Sequence, residues 1–165
     1  MRKIILMFAL VVMMAVILSA CGGKKDTNND ITSVNDGSMG DLRVETSSVN
    51  ELPSFLNDHH ENMQVLYRGV ANHQELLEHI PCYCGCGDSV GHDHNLDCFI
   101  HDTNEDDGVT WDDHATRCQV CLDIAAESIV EFQEGNSVNE VRQLIEDKYE
   151  GKGYPEATDT PQFAS

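Results

Sequence analysis

The sequence of 165 residues has few basic side chains and few aromatic ones. It contains 10 Lys and Arg against 29 Asp and Glu, and a single Trp. So acidic a surface repels nucleic acid and anionic lipid headgroups, which excludes nucleic-acid binding as a function. It favours solubility, cations and basic partners, but charge alone identifies no ligand. The chain offers only a thin apolar core, so we expect something besides apolar burial to stabilise the fold.

The sequence also lacks a second long apolar run. The one present extends from Ile4 to Leu18 after two basic residues, and it is shorter than the roughly 20 residues that a membrane-spanning helix needs. It ends at Leu18-Ser19-Ala20-Cys21, which has the form of a lipobox. We therefore expect residues 1–20 to be a lipoprotein signal peptide and Cys21 to carry the lipid. These features predict a lipoprotein anchored in the cell membrane, on its extracytoplasmic face.

Composition divides the remainder of the chain into three parts. Residues 21–50 are rich in Gly, Ser, Asn and Asp, which predicts a flexible acylated tether. Removal of the signal peptide takes away two Lys and Arg and no Asp or Glu, so the tethered protein is even more acidic. We expect residues 51–154 to form one small cysteine-rich domain and residues 155–165 to be a disordered tail.

Apolar residues of the domain recur with helical spacing, and no alternating run is long enough to indicate a sheet. The spacing predicts helices over about 58–70, from Asn72 to Ile80, from Thr110 to just before Gly135, and from Ser137 to Gly151. Ser137 and Glu140 have the spacing of a capping box. The predicted fold class is all-α: a small bundle of about four short helices with a long cysteine-rich loop.

That loop extends from Pro81 to Thr110, and an irregular segment of this length inside a small domain requires an explanation. The domain cysteines supply one, since most of them lie in the loop. Apart from Cys21, the cysteines are Cys82, Cys84, Cys86, Cys98, Cys118 and Cys121. We therefore expect these six side chains to fix the loop.

Binding of a soft metal ion is the function that the cysteines favour. Alternate-position thiols can converge on one ion, and Gly85 and Gly87 permit the positive φ angles that this requires. A Cys-x-x-Cys pair at Cys118 and Cys121 is typical of zinc and copper sites. A thiolate-rich site selects Cu(I) or Zn(II), to which imidazoles can contribute. The candidate imidazole ligands are His92, His94 and His114. A protein of this kind would capture or deliver the ion, with a metal donor or acceptor protein as its partner.

Two alternatives remain open. In an extracellular domain, an even number of cysteines also fits a disulfide framework, which would make the protein a disulfide-stapled interaction module. The Cys-x-x-Cys pair also fits a thiol–disulfide oxidoreductase, although no βαβ pattern surrounds it. No serine or cysteine nucleophile lies in a known elbow or triad motif, so we expect no other enzymatic activity.

The hexapeptide Pro81-Cys82-Tyr83-Cys84-Gly85-Cys86 resembles the motif of the PCYCGC motif-containing lipoproteins of Gram-positive bacteria. The resemblance extends from Leu66 to Tyr149 and includes Asp97-Cys98-Phe99, Trp111 with His114, and Cys118-Gln119-Val120-Cys121. It implies a lipid anchor and a cysteine-rich domain. It brings no assigned activity.

The lipid anchor can be tested at one residue. Because the processing enzymes modify the cysteine of the lipobox, Cys21→Ala should leave an unprocessed or unlipidated precursor. Electrophoretic mobility and membrane fractionation measure this. Mature mobility together with normal retention in the membrane would contradict the prediction.

Overall fold

A three-stranded antiparallel sheet and five α-helices make up the regular structure of the described residues. The computed structural model describes residues 40–104 and 107–164. The strands are β1 (Arg43–Thr46), β2 (Ile100–Thr103) and β3 (Val109–Asp112). The helices are α1 (Glu61–Ala71), α2 (Gln74–Leu77), α3 (Cys86–Val90), α4 (Gln119–Gln133) and α5 (Val138–Tyr149). Short 3₁₀ helices occupy Ser54–Asp58, Asn95–Cys98 and His114–Arg117.

The fold is mixed α/β, so the all-α prediction is wrong. The strand order is β1-β3-β2, with Val44 opposite Trp111 and Ile100 on the other side of the same residue. Each strand has only four residues, which is too few for an alternating pattern to be recognised against the background. A bulge between Ile100 and Asp102 disturbs the pattern further.

The helix expected from Thr110 begins nine residues later. Thr110 lies in β3, and α4 starts at Gln119 with Cys118 as its N-cap residue. Thr110 and Asp113 have the spacing of a capping pair, but pairing with β1 places Thr110 opposite Glu45 in the sheet. Tertiary pairing thus overrides a local capping signal.

The last helix follows its local signals closely. The Ser137 hydroxyl accepts a hydrogen bond from the Glu140 backbone N–H, and the Glu140 side chain accepts one from the Ser137 N–H, so the capping box is present. Gly135 separates α4 from α5 with a φ of +104°. Phe132 of α4 and Leu144 of α5 are exposed, although helical spacing aligns each with the buried apolar residues of its helix.

Three aromatic side chains join the helices to the sheet. Tyr67 of α1 packs edge-on against Phe99, with ring centroids 5.0 Å apart, and lies 6.1 Å from Trp111 of β3. Its hydroxyl donates to the Asp112 carbonyl at 2.9 Å, which satisfies the one polar atom that the ring buries. The aromatic cluster holds β3, and therefore the residues just after it, against the helices.

The folded part extends beyond residues 51–154 in both directions. The N-terminal strand β1 lies within the range expected to be a tether, where Val44 is buried. Within the range expected to be a disordered tail, Thr158 and Thr160 are buried and hydrogen-bonded. Both segments are rich in short polar residues, and such a composition does not reveal that a few side chains pack against the domain.

None of the helices in residues 40–104 and 107–164 is long and apolar enough to span a membrane. The predicted signal peptide, Cys21 and most of the predicted tether lie outside the described residues.

Membership of β1 in the fold can be tested with two neighbouring residues. Val44→Ala removes two buried methyl groups and should lower the free energy of unfolding by about 1–3 kcal/mol. Glu45→Ala, at an exposed position of the same strand, is the matched control and should change it by less than about 0.5 kcal/mol. Denaturant titration of both variants measures this. Equal stability of the two would mean that β1 behaves as a tether.

Candidate metal centre

Three stretches of chain bring the six domain cysteines together. The first carries Cys82 and Cys84, and Gly85, with a φ of +83°, then turns the chain so that Cys86 begins α3. Cys98 ends the 3₁₀ helix over Asn95–Cys98. The sequence suggested positive φ angles at Gly85 and Gly87. Gly85 has one, but Gly87 does not, and the second positive φ of this segment occurs at Gly91.

The Cys-x-x-Cys pair lies at the first turn of α4. Cys118 is the N-cap residue, and its sulfur accepts a hydrogen bond from the backbone N–H of Cys121 at 3.4 Å. This is the position at which an N-cap side chain satisfies a free helical N–H. The two-residue spacing therefore directs both sulfurs toward the Cys82–Cys86 segment.

Four of the sulfurs have the separations of a tetrahedral metal site. The Sγ atom of Cys82 lies 3.5 Å from that of Cys84, 3.7 Å from that of Cys121 and 3.9 Å from that of Cys98. The Cys84 and Cys121 sulfurs are 3.4 Å apart. Four sulfurs at the usual zinc–sulfur distance of about 2.3 Å form a tetrahedron with edges of about 3.8 Å. These four separations are close to that edge, and the other two pairs, Cys84–Cys98 and Cys98–Cys121, lie within 4.8 Å.

The remaining thiols extend this group. The Cys86 sulfur lies 3.8 Å from that of Cys98. Three ligand sets contain cysteine, each with one ligand atom from every member within 4.8 Å of all the others. Cys84 belongs to all three: Cys82, Cys84, Cys98 and Cys121; Cys84, His114, Cys118 and Cys121; and Cys84, Cys86, Cys98 and His114. The six cysteines and His114 therefore form one continuous cluster, called here the thiol cluster.

All six cysteines of the thiol cluster are free thiols. The Cys84 and Cys121 sulfurs, for example, are 3.4 Å apart, whereas a disulfide bond requires about 2.05 Å. Cys82, Cys86, Cys98 and Cys121 are buried, and Cys84 and Cys118 are partly exposed. The cluster thus reaches solvent on the side of Cys84 and Cys118.

The thiols determine one another's ionisation. Hydrogen bonding, chiefly from Cys121, lowers the pKa of Cys82 to about 4. Hydrogen bonds from Cys118, Cys121 and Cys82 hold the pKa of Cys84 well below its usual value. Hydrogen bonding with Cys118 and Cys82 raises the pKa of Cys121. Hydrogen bonding within the cluster thus favours ionisation of Cys82 and Cys84, and the thiolate is the form of cysteine that binds metal.

Two of the three candidate histidines lie against the thiol cluster. His114 Nε2 is 3.9 Å from the Cys84 sulfur, and His92 Nδ1 is 3.5 Å from the Cys98 sulfur. The pKa of His114 is raised to about 9, chiefly by its hydrogen bond with the Cys84 sulfur. Burial opposes this shift, and the Asp41 carboxylate adds to it. Burial lowers the pKa of His92. His92 is therefore neutral, as a metal ligand must be.

The third histidine is directed elsewhere. His94 Nδ1 lies 3.3 Å from the Asp97 carboxylate, which also accepts a hydrogen bond from the Asp93 N–H. Among the described residues, no candidate ligand set includes His94. The sequence, in which His92 and His94 alternate, does not reveal that the two side chains differ in direction. The difference arises because a 3₁₀ helix begins at Asn95, directly after His94.

Three residues around the cluster were not identified from the sequence. Asn95 is buried and donates from Nδ2 to the Cys121 carbonyl at 3.2 Å, with the Cys82 sulfur 3.8 Å away. The Asp41 carboxylate lies 3.1 Å from His114 Nδ1, within hydrogen-bonding distance. Thr158 accepts from the Cys82 N–H at 2.8 Å and donates its own N–H to the Cys82 carbonyl. Asp41 and Thr158 are far from the cysteines in sequence, and no local pattern links them to the site.

The mixed α/β fold and the buried thiol cluster define a cysteine-rich protein whose side chains are positioned to bind a metal ion. A protein-family model described as "Protein of unknown function with PCYCGC motif" matches residues 10–163. The chain therefore belongs to this family, which confirms the resemblance seen in the hexapeptide. No curated protein and no solved structure matches the chain.

The contact between Thr158 and the cysteine segment yields a stability prediction. Thr158→Val keeps the shape of the side chain but leaves the buried Cys82 N–H without its acceptor, so the free energy of unfolding should fall by about 1–3 kcal/mol. The exposed neighbour Asp159→Ala is the control. Chemical denaturation of the metal-free, reduced protein measures both. Wild-type stability of Thr158→Val would show that the segment does not pack there in solution.

Proposed function

We propose that this protein is an extracytoplasmic lipoprotein that binds a soft metal ion, Cu(I) or Zn(II), and captures or delivers it at the membrane. The ligands are the sulfurs of the thiol cluster, with His114 as an additional donor. The observation that carries the proposal is the spacing of the Cys82, Cys84, Cys98 and Cys121 sulfurs, of which four pairs are 3.4–3.9 Å apart.

A cation accounts for this arrangement better than packing alone. A buried free cysteine can pack as a small apolar residue, but the lowered pKa values of Cys82 and Cys84 favour thiolates, whose negative charge would lie in the interior. Asp41 and Asp112 also lie close to His114, but each already pairs with an arginine, Arg117 and Arg43 respectively. Thiolates in the interior require a counter-charge of their own, and they favour Cu(I) and Zn(II) among metal ions.

The number of sulfurs bears on which ion is bound. A single Zn(II) uses four ligands, so a zinc site at Cys82, Cys84, Cys98 and Cys121 leaves Cys86 and Cys118 outside the first coordination shell. Cu(I) needs fewer sulfurs per ion, and sulfurs that belong to several sets, such as that of Cys84, can bridge ions. A cluster with bridging sulfurs uses all six thiols.

The partial exposure of Cys84 and Cys118 fits a transfer role. An ion held at this side of the cluster can pass to the thiols of a metal acceptor protein by ligand exchange, whereas a fully enclosed site would retain it. The lipid anchor at Cys21 keeps the exchange at the membrane. In this proposal the protein has no enzymatic activity, and its partners are the membrane and a metal donor or acceptor protein.

Substitution of the shared sulfur tests the proposal. Because Cys84 belongs to all three ligand sets, Cys84→Ser should lower the affinity for both Zn(II) and Cu(I) by at least about 100-fold. Competition with a chelator of known affinity, on anaerobically prepared protein, measures this. Unchanged affinity of Cys84→Ser for both ions would refute the proposal.

The double variant Cys86→Ser with Cys118→Ser separates the two ions. It should retain one Zn(II) with an affinity close to wild type, because the tetrahedral set is intact, and it should lose part of its Cu(I) stoichiometry. Thiol counting under denaturing conditions controls for the disulfide alternative. Protein from the native host with no titratable thiol would support a disulfide-stapled module instead.

A further inference from the structure

A group of nitrogen and oxygen donors lies beside the thiol cluster. One nitrogen each of His92 and His114 and a carboxylate oxygen of Asp41 lie within 4.8 Å of one another. None of these atoms is a sulfur, and Asp41 precedes β1, far from the cysteines in sequence. We propose that Asp41, His92 and His114 form a second cation site, for a borderline divalent ion of the Zn(II) class.

The unsatisfied nitrogen of His92 is the first observation that points to a ligand. The residue is only 5% exposed, and its Nε2 atom has no hydrogen-bond partner among the described residues. The other nitrogen, Nδ1, faces the Cys98 sulfur at 3.5 Å. If Nδ1 carries the proton and donates it to the sulfur, Nε2 presents a buried lone pair. A buried polar atom without a partner is costly, and a bound cation would satisfy it.

The geometry at His114 is the second observation. Its Nε2 faces the Cys84 sulfur, which leaves Nδ1 for Asp41, at 3.1 Å from Oδ2. Two ligand atoms about 2.1 Å from one ion are about 3.0–3.4 Å apart at octahedral or tetrahedral angles. The observed separation therefore fits a shared cation as well as a shared proton. The rings of His92 and His114 are in edge contact, with centroids 4.8 Å apart, so both can approach the same ion.

The carboxylate is held in position from its other side. Asp41 Oδ1 accepts a hydrogen bond from Arg117 at 2.6 Å, and Arg117 also pairs with Asp113 at 2.7 Å. The Asp41 side chain is 6% exposed. Oδ2 is thus directed to His114 by a fixed partner, as the outer contacts of metal ligands usually are.

The donor atoms determine the class of ion. Imidazole nitrogen and carboxylate oxygen suit Zn(II) and similar divalent ions, whereas Cu(I) prefers sulfur. Two histidines and a carboxylate supply three ligands, which leaves a coordination position for water or an exchanging ligand. His114 belongs to both groups, with Nε2 toward the Cys84 sulfur and Nδ1 toward Asp41. The second site uses no sulfur and does not depend on the thiol cluster binding metal.

Titration of the metal-free full-length protein with Co(II), without oxygen, tests the inference. Sulfur-bound Co(II) gives intense thiolate charge-transfer absorption, and Co(II) bound by nitrogen and oxygen gives only weak visible bands. We expect the Co(II) bound by the thiol cluster to produce the charge-transfer bands. We expect one further equivalent of Co(II) to bind without them. His92→Ala and Asp41→Asn should each lower the affinity for that further equivalent at least about tenfold and leave the charge-transfer bands in place.

The exposed His101→Ala and Asp123→Asn are the matched controls and should titrate as wild type. The inference is overturned if charge-transfer bands accompany every bound Co(II), or if the further equivalent binds equally well in all variants. Absence of the charge-transfer bands from wild-type protein, with the further equivalent retained, would remove the proposed thiolate function and leave this second site standing.

Discussion

The convergence of the Cys82, Cys84, Cys98 and Cys121 sulfurs is the constraint on which the remaining structure depends. Residues 81–98 contain only one short α-helix and one 3₁₀ helix, so regular hydrogen bonding fixes little of their path. The sulfurs instead join this segment to the first turn of α4 within the apolar core. Residues before and after the domain then pack on the segment, through Asp41 at His114 and Thr158 at Cys82.

Electrostatic repulsion destabilises this arrangement when no cation is bound. The chain has a formal net charge of −19, and the buried Asp112 has its pKa raised to about 6 by desolvation despite its pairing with Arg43. In the same region, hydrogen bonding among the thiols lowers the pKa of Cys82 and of Cys84 and so favours thiolates there. A soft ion among the sulfurs, and a divalent ion at the neighbouring imidazoles, would neutralise this charge and tie the segments together. Stability and metal content are therefore coupled in this account.

The sequence predicts the chemistry of the site better than it predicts the fold. The residue types and spacing of the cysteines predict a thiol cluster, and the signals at Ser137, Glu140 and Gly135 place α5, because both depend on nearby residues. The sheet depends on distant residues. Thr110 begins no helix because Glu45, 65 positions earlier, pairs with it, and four-residue strands carry no readable alternation. Asp41 and Thr158 are hidden for the same reason: only the folded chain brings them to the cysteines.

Extended X-ray absorption at the metal edge tests the central claim most directly. The sample is full-length protein isolated without oxygen from its native host, with no metal-affinity tag. Convergent thiolates predict a first shell dominated by sulfur, at about 2.3 Å for zinc. A first shell of oxygen and nitrogen alone, or protein that carries no metal and has its cysteines joined as disulfides, would contradict the account.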